Sequence, residues 1–202
     1  HIPTAVESAG PITLLVNDIP ANGVNTLMLD FNLQGLPEAL WPRLAHYAEA
    51  VNKMGAAGEG YEVIAHRKAA STGGIGCMPI IMTHATDVNR PVWGLRVTLK
   101  TLDGRIGPAL ELLHDILFAV DPCDRERLHD VLSQMRAHCR TAMVHSGSGT
   151  AATHAARGIS VQDHLEELLH GLPQLDLSED LVERFDDECE RLVADVETIR
   201  NL

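Results

Sequence analysis

Near the carboxyl end of the chain, the stretch DHLEELLH places His164 and His170 on either side of Glu166 and Glu167. Zinc peptidases use histidine and glutamate side chains of one helix to hold the metal and to activate water. Side chains advance by about 100° per residue along a helix, so two histidines four residues apart share a face and can bind one ion. His164 and His170 are six residues apart, which turns their rings roughly 120° away from each other.

The spacing of the histidines excludes both helical zinc motifs from the whole sequence. The chain has 11 histidines, and no two of them are four residues apart. Neither H-E-x-x-H nor H-x-x-E-H therefore occurs. The stretch DHLEELLH instead predicts an amphipathic helix that turns Leu165, Leu168 and Leu169 inward.

Two glycine-rich stretches also lack the pattern of an active site. A serine-hydrolase elbow needs G-x-S-x-G at a strand-to-helix turn, whereas residues 145–150 read HSGSGT and predict a linker or helix break. A phosphate-binding loop needs a following lysine and a helix, whereas STGGIG at residues 71–76 leads into an apolar strand. This second stretch predicts the end of a helix followed by a turn.

His138 and His145 share a predicted helix face, with Cys139 beside them. A structural metal site needs further ligands at suitable spacing, so exposed polar positions beside an apolar stripe are the simpler interpretation. The acidic run SEDLVERFDDECE, residues 178–190, carries its charges between apolar residues at helical spacing and predicts a solvated helix face. The sequence therefore predicts no catalytic, cofactor-binding or metal-binding residue in this segment.

Composition narrows the classes of partner. The 202 residues are 45% hydrophobic and carry a formal net charge of −12, which allows a sizeable core and argues against nucleic acid as a partner. The charge is compatible with a cationic peptide. The four cysteines form no C-x-x-C pair and are interpreted as buried thiols rather than a disulfide framework.

No apolar run approaches the roughly 20 residues that cross a bilayer, so no membrane partner is expected. No signal-like start is visible, and this favours the cytoplasm, with an organelle or the periplasm as the alternative if a signal lies upstream of His1. The chain opens on HIPTAVESAG, without an initiator methionine. We therefore interpret it as a processed product or a piece of a longer polypeptide.

The pattern of apolar residues predicts alternating strand and helix pairs. The predicted strands cover residues 13–17, 24–33, 75–84 and 91–102. The predicted helices cover residues 37–55, 59–74, 105–120, 121–143, 161–171 and 176–202, and residues 145–158 form a break that either joins two helices or opens another. The predicted N-caps are Asp121, Ser160 and Asp176.

Strands joined by short segments favour antiparallel pairing. The order of elements predicts the α+β class, an antiparallel sheet with helices packed on one face. We expect one domain over residues 1–202, with a strand–helix–helix–strand part at 1–104 and a mainly helical part at 105–202.

Several stretches resemble one family, the presequence protease branch of the pitrilysin/insulinase zinc metallopeptidases. Residues 17–55, beginning NDIPANG and containing FNLQGLPEALWP, resemble its D-x-P-T-N-G lead and F-D-L-S-G-L-P-E-E-L-x-P. TGGIGCMP at 72–79 resembles T-G-G-I-x-x-x-P, and residues 145–175 resemble the S-G-H-x-x-A-x-x-R segment with its following helix and glycine loop. The resemblance runs from about Val16 to the end of the chain.

The resemblance implies a pitrilysin/insulinase-like half-domain in the C-terminal half of such a protease. In this family two halves enclose a peptide-degrading chamber, and the N-terminal half carries H-x-x-E-H and the zinc. This segment would then be an inactive, chamber-forming domain of a zinc metalloendopeptidase that degrades unfolded peptides and presequences. Its partners would be other domains of the same polypeptide and the peptide substrate. The alternative is a stand-alone interaction or scaffold domain with the same fold.

Overall fold

The computed structural model describes residues 2–201, the side chains of Val88 and Asn89 excepted. His1 and Leu202, the two ends of the predicted domain, lie outside the described residues. The strands are β1 (Ala5–Ala9), β2 (Ile12–Val16), β3 (Val24–Asn32), β4 (Gly55–Ala56), β5 (Gly74–His84), β6 (Asp87–Leu102) and β7 (Val120–Asp121). The α-helices are α1 (Leu44–Lys53), α2 (Tyr61–Ser71), α3 (Ile106–Phe118), α4 (Arg125–His145), α5 (Gly147–Ala156), α6 (Val161–His170), α7 (Leu172–Glu183) and α8 (Phe185–Arg200).

The main sheet has three antiparallel strands in the order β3-β6-β5. The register places Leu29 opposite Val97 and Cys77 opposite that same residue on the other side. Residues of β6 alternate, so Leu95, Val97 and Leu99 all face the helices and are buried. Helices α1, α3 and α6 pack mainly against β5 and β6. The predicted α+β class with antiparallel pairing is confirmed.

The first strand, β1, escaped the sequence prediction. It pairs with β2 in an antiparallel hairpin whose turn holds Gly10 in the left-handed region, at φ 63°. Nearly every residue of the hairpin is exposed, including Val6 and Leu15. The sequence AVESA lacks the run of β-branched and aromatic residues that marks a strand, and pairing with β2 defines it instead.

The predicted helix over 37–55 is correct in place but not in type. Residues Glu38–Arg43 form a 3-10 helix, and α1 begins only at Leu44. Pro42 lies inside this first segment. Its ring lacks an N–H and crowds the carbonyl of the preceding turn, so it opposes a regular α-helix until it has been passed.

Two predicted N-caps are wrong. Helix α4 is capped by Asp124, whose Oδ1 accepts from the backbone N–H of Arg127 at 3.0 Å, whereas Asp121 accepts from the N–H of Cys123 in the preceding turn. Asp176 lies inside α7. That helix begins earlier because Gly171 breaks the chain after α6 and the next proline suits a first helical turn.

The predicted long helix over 176–202 is instead two helices. The backbone leaves the helical region at Arg184, with φ −114° and ψ 30°, and α8 starts at the next residue. Asp186, Asp187 and Glu188 follow in the first turn of α8, where negative charge complements the helix dipole. The segment 145–158, predicted as a break, contains α5.

We expect Gly94→Ala to lower the free energy of unfolding by about 1–3 kcal/mol, because a Cβ at this position in β6 would collide with the carbonyl oxygen of Phe31 in β3. Urea denaturation measures the loss. Gly76→Ala on β5 is the matched control, since nothing lies within 4 Å of the Cβ that it adds. Equal stability of the two variants would contradict this account of the β3–β6 contact.

Candidate functional site

Helix α6 carries the stretch DHLEELLH. Ser160 caps it as predicted, with its Oγ accepting from the backbone N–H of Asp163 at 3.1 Å. His164 and His170 both lie on the surface. Leu165 and Leu169 are buried as predicted. The structure therefore does not bring the two histidines together.

Glu167 of the same stretch is buried, with 4% of its surface exposed. It lies about 200° around the helix from Leu165, on the side where α5 packs. Its Oε1 lies 2.7 Å from Nδ1 of His154 in α5. Sequence reasoning missed this pair, because a glutamate away from the apolar stripe is expected in solvent unless another helix covers it.

The carboxylate of Glu167 also explains the glycine that ends α6. A Cβ at Gly171 would collide with Oε2 of Glu167 and would lie 2.6 Å from the backbone oxygen of that residue. The bare Cα of Gly171 thus leaves room for a buried acid. Oε2 itself has no hydrogen-bond partner among the described residues, so His154 is the main compensation for burying this group.

A groove of about 390 Å³ lies next to this pair, within the size range of small-molecule sites. Its walls come from α1, β5, α4, α6 and α7, with the start of α5 at the rim. The lining includes apolar side chains of Met78, Met135, Met143 and Leu169 beside the polar groups of Glu49, His138, Cys139 and His170. The groove can therefore receive an apolar or amphipathic chain.

The predicted trio of His138, Cys139 and His145 does not assemble. His138 and Cys139 line the groove, whereas His145 is exposed at the end of α4. Within residues 2–201, no group of three or more histidine, cysteine, aspartate or glutamate side chains is placed to hold a metal ion.

The thiols of the groove are poor nucleophiles. Burial raises the pKa of Cys77 to about 12, and burial likewise raises the pKa of Cys139. Both groups stay protonated near neutral pH, and the thiolate is the reactive form. The prediction of buried free thiols holds for Cys77 and Cys189, but Cys123 is exposed.

A second buried polar cluster joins the first helical segment to α8. Arg43 is 8% exposed, and its Nε lies 3.2 Å from Asp195, with Glu188 3.9 Å from another guanidinium nitrogen. The predicted solvated acidic face is therefore partly wrong, because Glu188 turns toward this arginine. Beside it, burial and the Arg43 charge lower the pKa of His46 to about 3.

The fold and these sites define an α+β domain with a helix-walled groove and two buried ionic clusters that join its helices. No helix in the part of the chain described here is long and apolar enough to span a membrane. The chain belongs to the Peptidase M-16C associated family, whose model matches residues 2–181. The predicted family resemblance is thereby confirmed.

Three relatives show how much of a longer protein the chain represents. It is 26% identical over 182 residues to "Presequence protease, mitochondrial" of Schizosaccharomyces pombe, covering 89% of this chain and 18% of that protein. It is 23% identical over 200 residues to "Presequence protease 1, chloroplastic/mitochondrial" of Arabidopsis thaliana, covering 99% and 18%. It is 25% identical over 175 residues to "Protein HypA" of Clostridium perfringens, covering 87% and 18%. The chain spans about a fifth of the length of these relatives.

The expected cytoplasmic location is wrong. Relatives from S. pombe, A. thaliana and Danio rerio are named as mitochondrial or chloroplastic/mitochondrial proteins, which points to an organelle. The expectation rested on the lack of a visible signal. A targeting segment occupies a small part of a whole polypeptide, and a match to 18% of a relative does not test for one.

We expect His154→Ala to lower the free energy of unfolding by about 1–2 kcal/mol, because it leaves the buried Glu167 carboxylate without its partner. Chemical denaturation measures this loss. Hydrogen exchange should also quicken in α5, which has no fully buried residue and depends on this contact. His164→Ala, an exposed position on α6, is the control and should change stability by less than about 0.5 kcal/mol.

We expect stability to fall as the pH drops below 6.5, partly through His46. The folded state keeps this ring neutral down to pH about 3, whereas the unfolded chain takes up a proton near pH 6.5, so acid favours unfolding. The contribution approaches roughly 2 kcal/mol between pH 6.5 and 5. Urea midpoints should depend less on pH in His46→Gln than in the wild type. Equal slopes would show that His46 does not contribute.

Proposed function

We propose that residues 1–202 form one non-catalytic, chamber-forming domain of a longer zinc metalloendopeptidase that degrades unfolded peptides, including presequences. The observation that carries this proposal is the family match over residues 2–181. Relatives named as presequence proteases support the activity of the parent polypeptide, the longer chain that would contain this segment. A continuous core from Leu36 to Ile199 supports a single domain.

The residues of this segment do not fit a zinc site. The histidines lack the four-residue spacing of the helical motifs, and the described side chains form no metal-binding cluster. Zinc in the parent polypeptide would therefore be bound outside residues 1–202. This segment would act by shape and by peptide contacts, as a wall with the pitrilysin-like half-domain fold.

The groove beside α5 supports a role in holding peptide. Met135 and Met143 offer flexible apolar surface that adapts to different side chains. The net charge of −12 favours basic peptides over acidic ones. The partners proposed are therefore unfolded peptide and the other domains of the parent polypeptide.

The coding DNA on both sides of this segment tests the proposal. We expect an upstream region that encodes H-x-x-E-H on a helical pattern with a further glutamate downstream, and the same reading would reveal a targeting segment. A start codon close to His1 and no such motif would refute the protease assignment. That result would support a stand-alone interaction domain instead.

We expect the double variant His164→Ala/His170→Ala of the parent polypeptide to keep its zinc content and its peptide-cleaving rate. Both side chains are exposed and point away from each other on α6. Atomic absorption and a peptide-hydrolysis assay measure the two quantities. As a positive control, replacing the first histidine of the upstream motif should remove the zinc. Loss of zinc from the double variant would place a ligand in this segment and contradict the proposal.

A further inference from the structure

The free edge of the main sheet lies along β3. The backbone N–H of Asp103 donates to the carbonyl of Gly23 at 3.0 Å, so these two residues form a hydrogen-bonded pair. Pairs alternate along an antiparallel ladder, and the N–H and C=O groups of Thr26, Met28 and Asp30 therefore point away from β6. The N–H of Val24, on this same side, bonds back to a turn carbonyl at 3.0 Å.

The other edge of the sheet, along β5, is closed. The side-chain amide of Asn52 in α1 accepts from the N–H of Cys77 at 3.0 Å and donates to its carbonyl at 2.9 Å. Two positions further, Pro79 has no N–H to offer. Within residues 2–201, no comparable side chain reaches the outward main-chain groups of Thr26, Met28 and Asp30.

The β3 edge also lacks the features that usually prevent strand addition. Its nine residues keep an unbroken register with β6 and contain neither proline nor lysine. The charge of Asp30 is neutralised by two hydrogen bonds from Arg96, both 2.7 Å. A long, regular and nearly neutral edge of this kind pairs readily with another strand.

The side chains beneath β3 are incompletely covered. Leu27, Leu29 and Phe31 are only partly buried, although their partners on β6 are buried. At one end of the strand, an apolar pocket of about 170 Å³ opens among Phe31, Leu33, Phe118 and their neighbours. Phe118 is 56% exposed there. The sheet and its core therefore stop short on this side.

The end of α8 lies at the same corner. Ile199 and Arg200 line this pocket together with Phe31 and Leu33. The Arg200 guanidinium also donates to the carbonyl of Val120 at 2.8 Å, which fixes the last turn of the helix. Polypeptide that follows α8 would emerge beside the Asn32 end of the open edge.

We propose that the open edge of β3 is the docking site for a β-strand supplied in cis by the parent polypeptide, from sequence beyond residue 202. This inference rests on the proposed function, because it requires a longer chain. Relatives of which this segment is only 18% provide ample polypeptide. The added strand would pair with Thr26, Met28 and Asp30 and cover the apolar pocket, completing the wall.

Residue-resolved hydrogen exchange on the parent polypeptide tests this pairing. The amides of Leu27, Leu29 and Phe31 bond to β6 and serve as internal controls. If a strand is docked, the amides of Thr26, Met28 and Asp30 should be protected to within about tenfold of these controls. An alternating pattern, with fast exchange at the three outward amides, would overturn the inference.

The source of the strand needs a second measurement. A photo-crosslinker at Thr26, in a mixture of isotopically heavy and light parent polypeptide, should yield cross-links to later sequence within one chain. Cross-links between heavy and light chains would show a second copy, and protection that requires added peptide would show a substrate; either outcome overturns the inference. A short coding region would refute the proposed function itself, whereas a long one with an open edge would refute only the docked strand.

Discussion

The fold depends on the position of β6 at the centre of the main sheet. Pairing with β3 and β5 engages its main-chain groups on both edges, and its alternate residues Trp93, Leu95, Val97 and Leu99 form the floor on which the helices pack. Gly94 permits the close approach of the β3 backbone. Trp93 also meets the ring of Trp41 edge-on at 4.8 Å, which seats the 3-10 segment against the strand.

Buried polar groups then fix the helical half on this floor. The ion pair of Arg43 with Asp195 joins the 3-10 segment to α8, and the pair of His154 with Glu167 joins α5 to α6. The amide of Gln174 donates to the carbonyls of Pro42 and Leu168. Such groups are costly to bury alone, so each tie specifies one arrangement of its helices. Their perturbed environments thus have a structural explanation and do not require a catalytic one.

The same features suit a domain that works inside a larger polypeptide. The groove offers apolar and acidic surface, while the thiols in it are kept neutral by burial. One sheet edge is sealed by Asn52 and the other stays open. This asymmetry gives the domain a protected side and a side available for completion, as expected of a wall element joined to further domains.

The sequence by itself determined the α+β class, the antiparallel strands, the absence of four-spaced histidines and the resemblance to presequence proteases. These properties depend on local periodicity and on motif order, which a chain carries without its fold. The 3-10 segment before Leu44 was also within reach, because Pro42 acts through its own ring.

Only the tertiary structure decided the burial of Glu167, the start of α4 at Asp124 rather than Asp121, the break at Arg184 and the existence of β1. Each of these depends on a partner distant in sequence or on a choice between equivalent local signals. Glu167 is buried because α5 covers it and His154 compensates its charge. The open β3 edge is likewise a property of strand order, which no single stretch of sequence encodes.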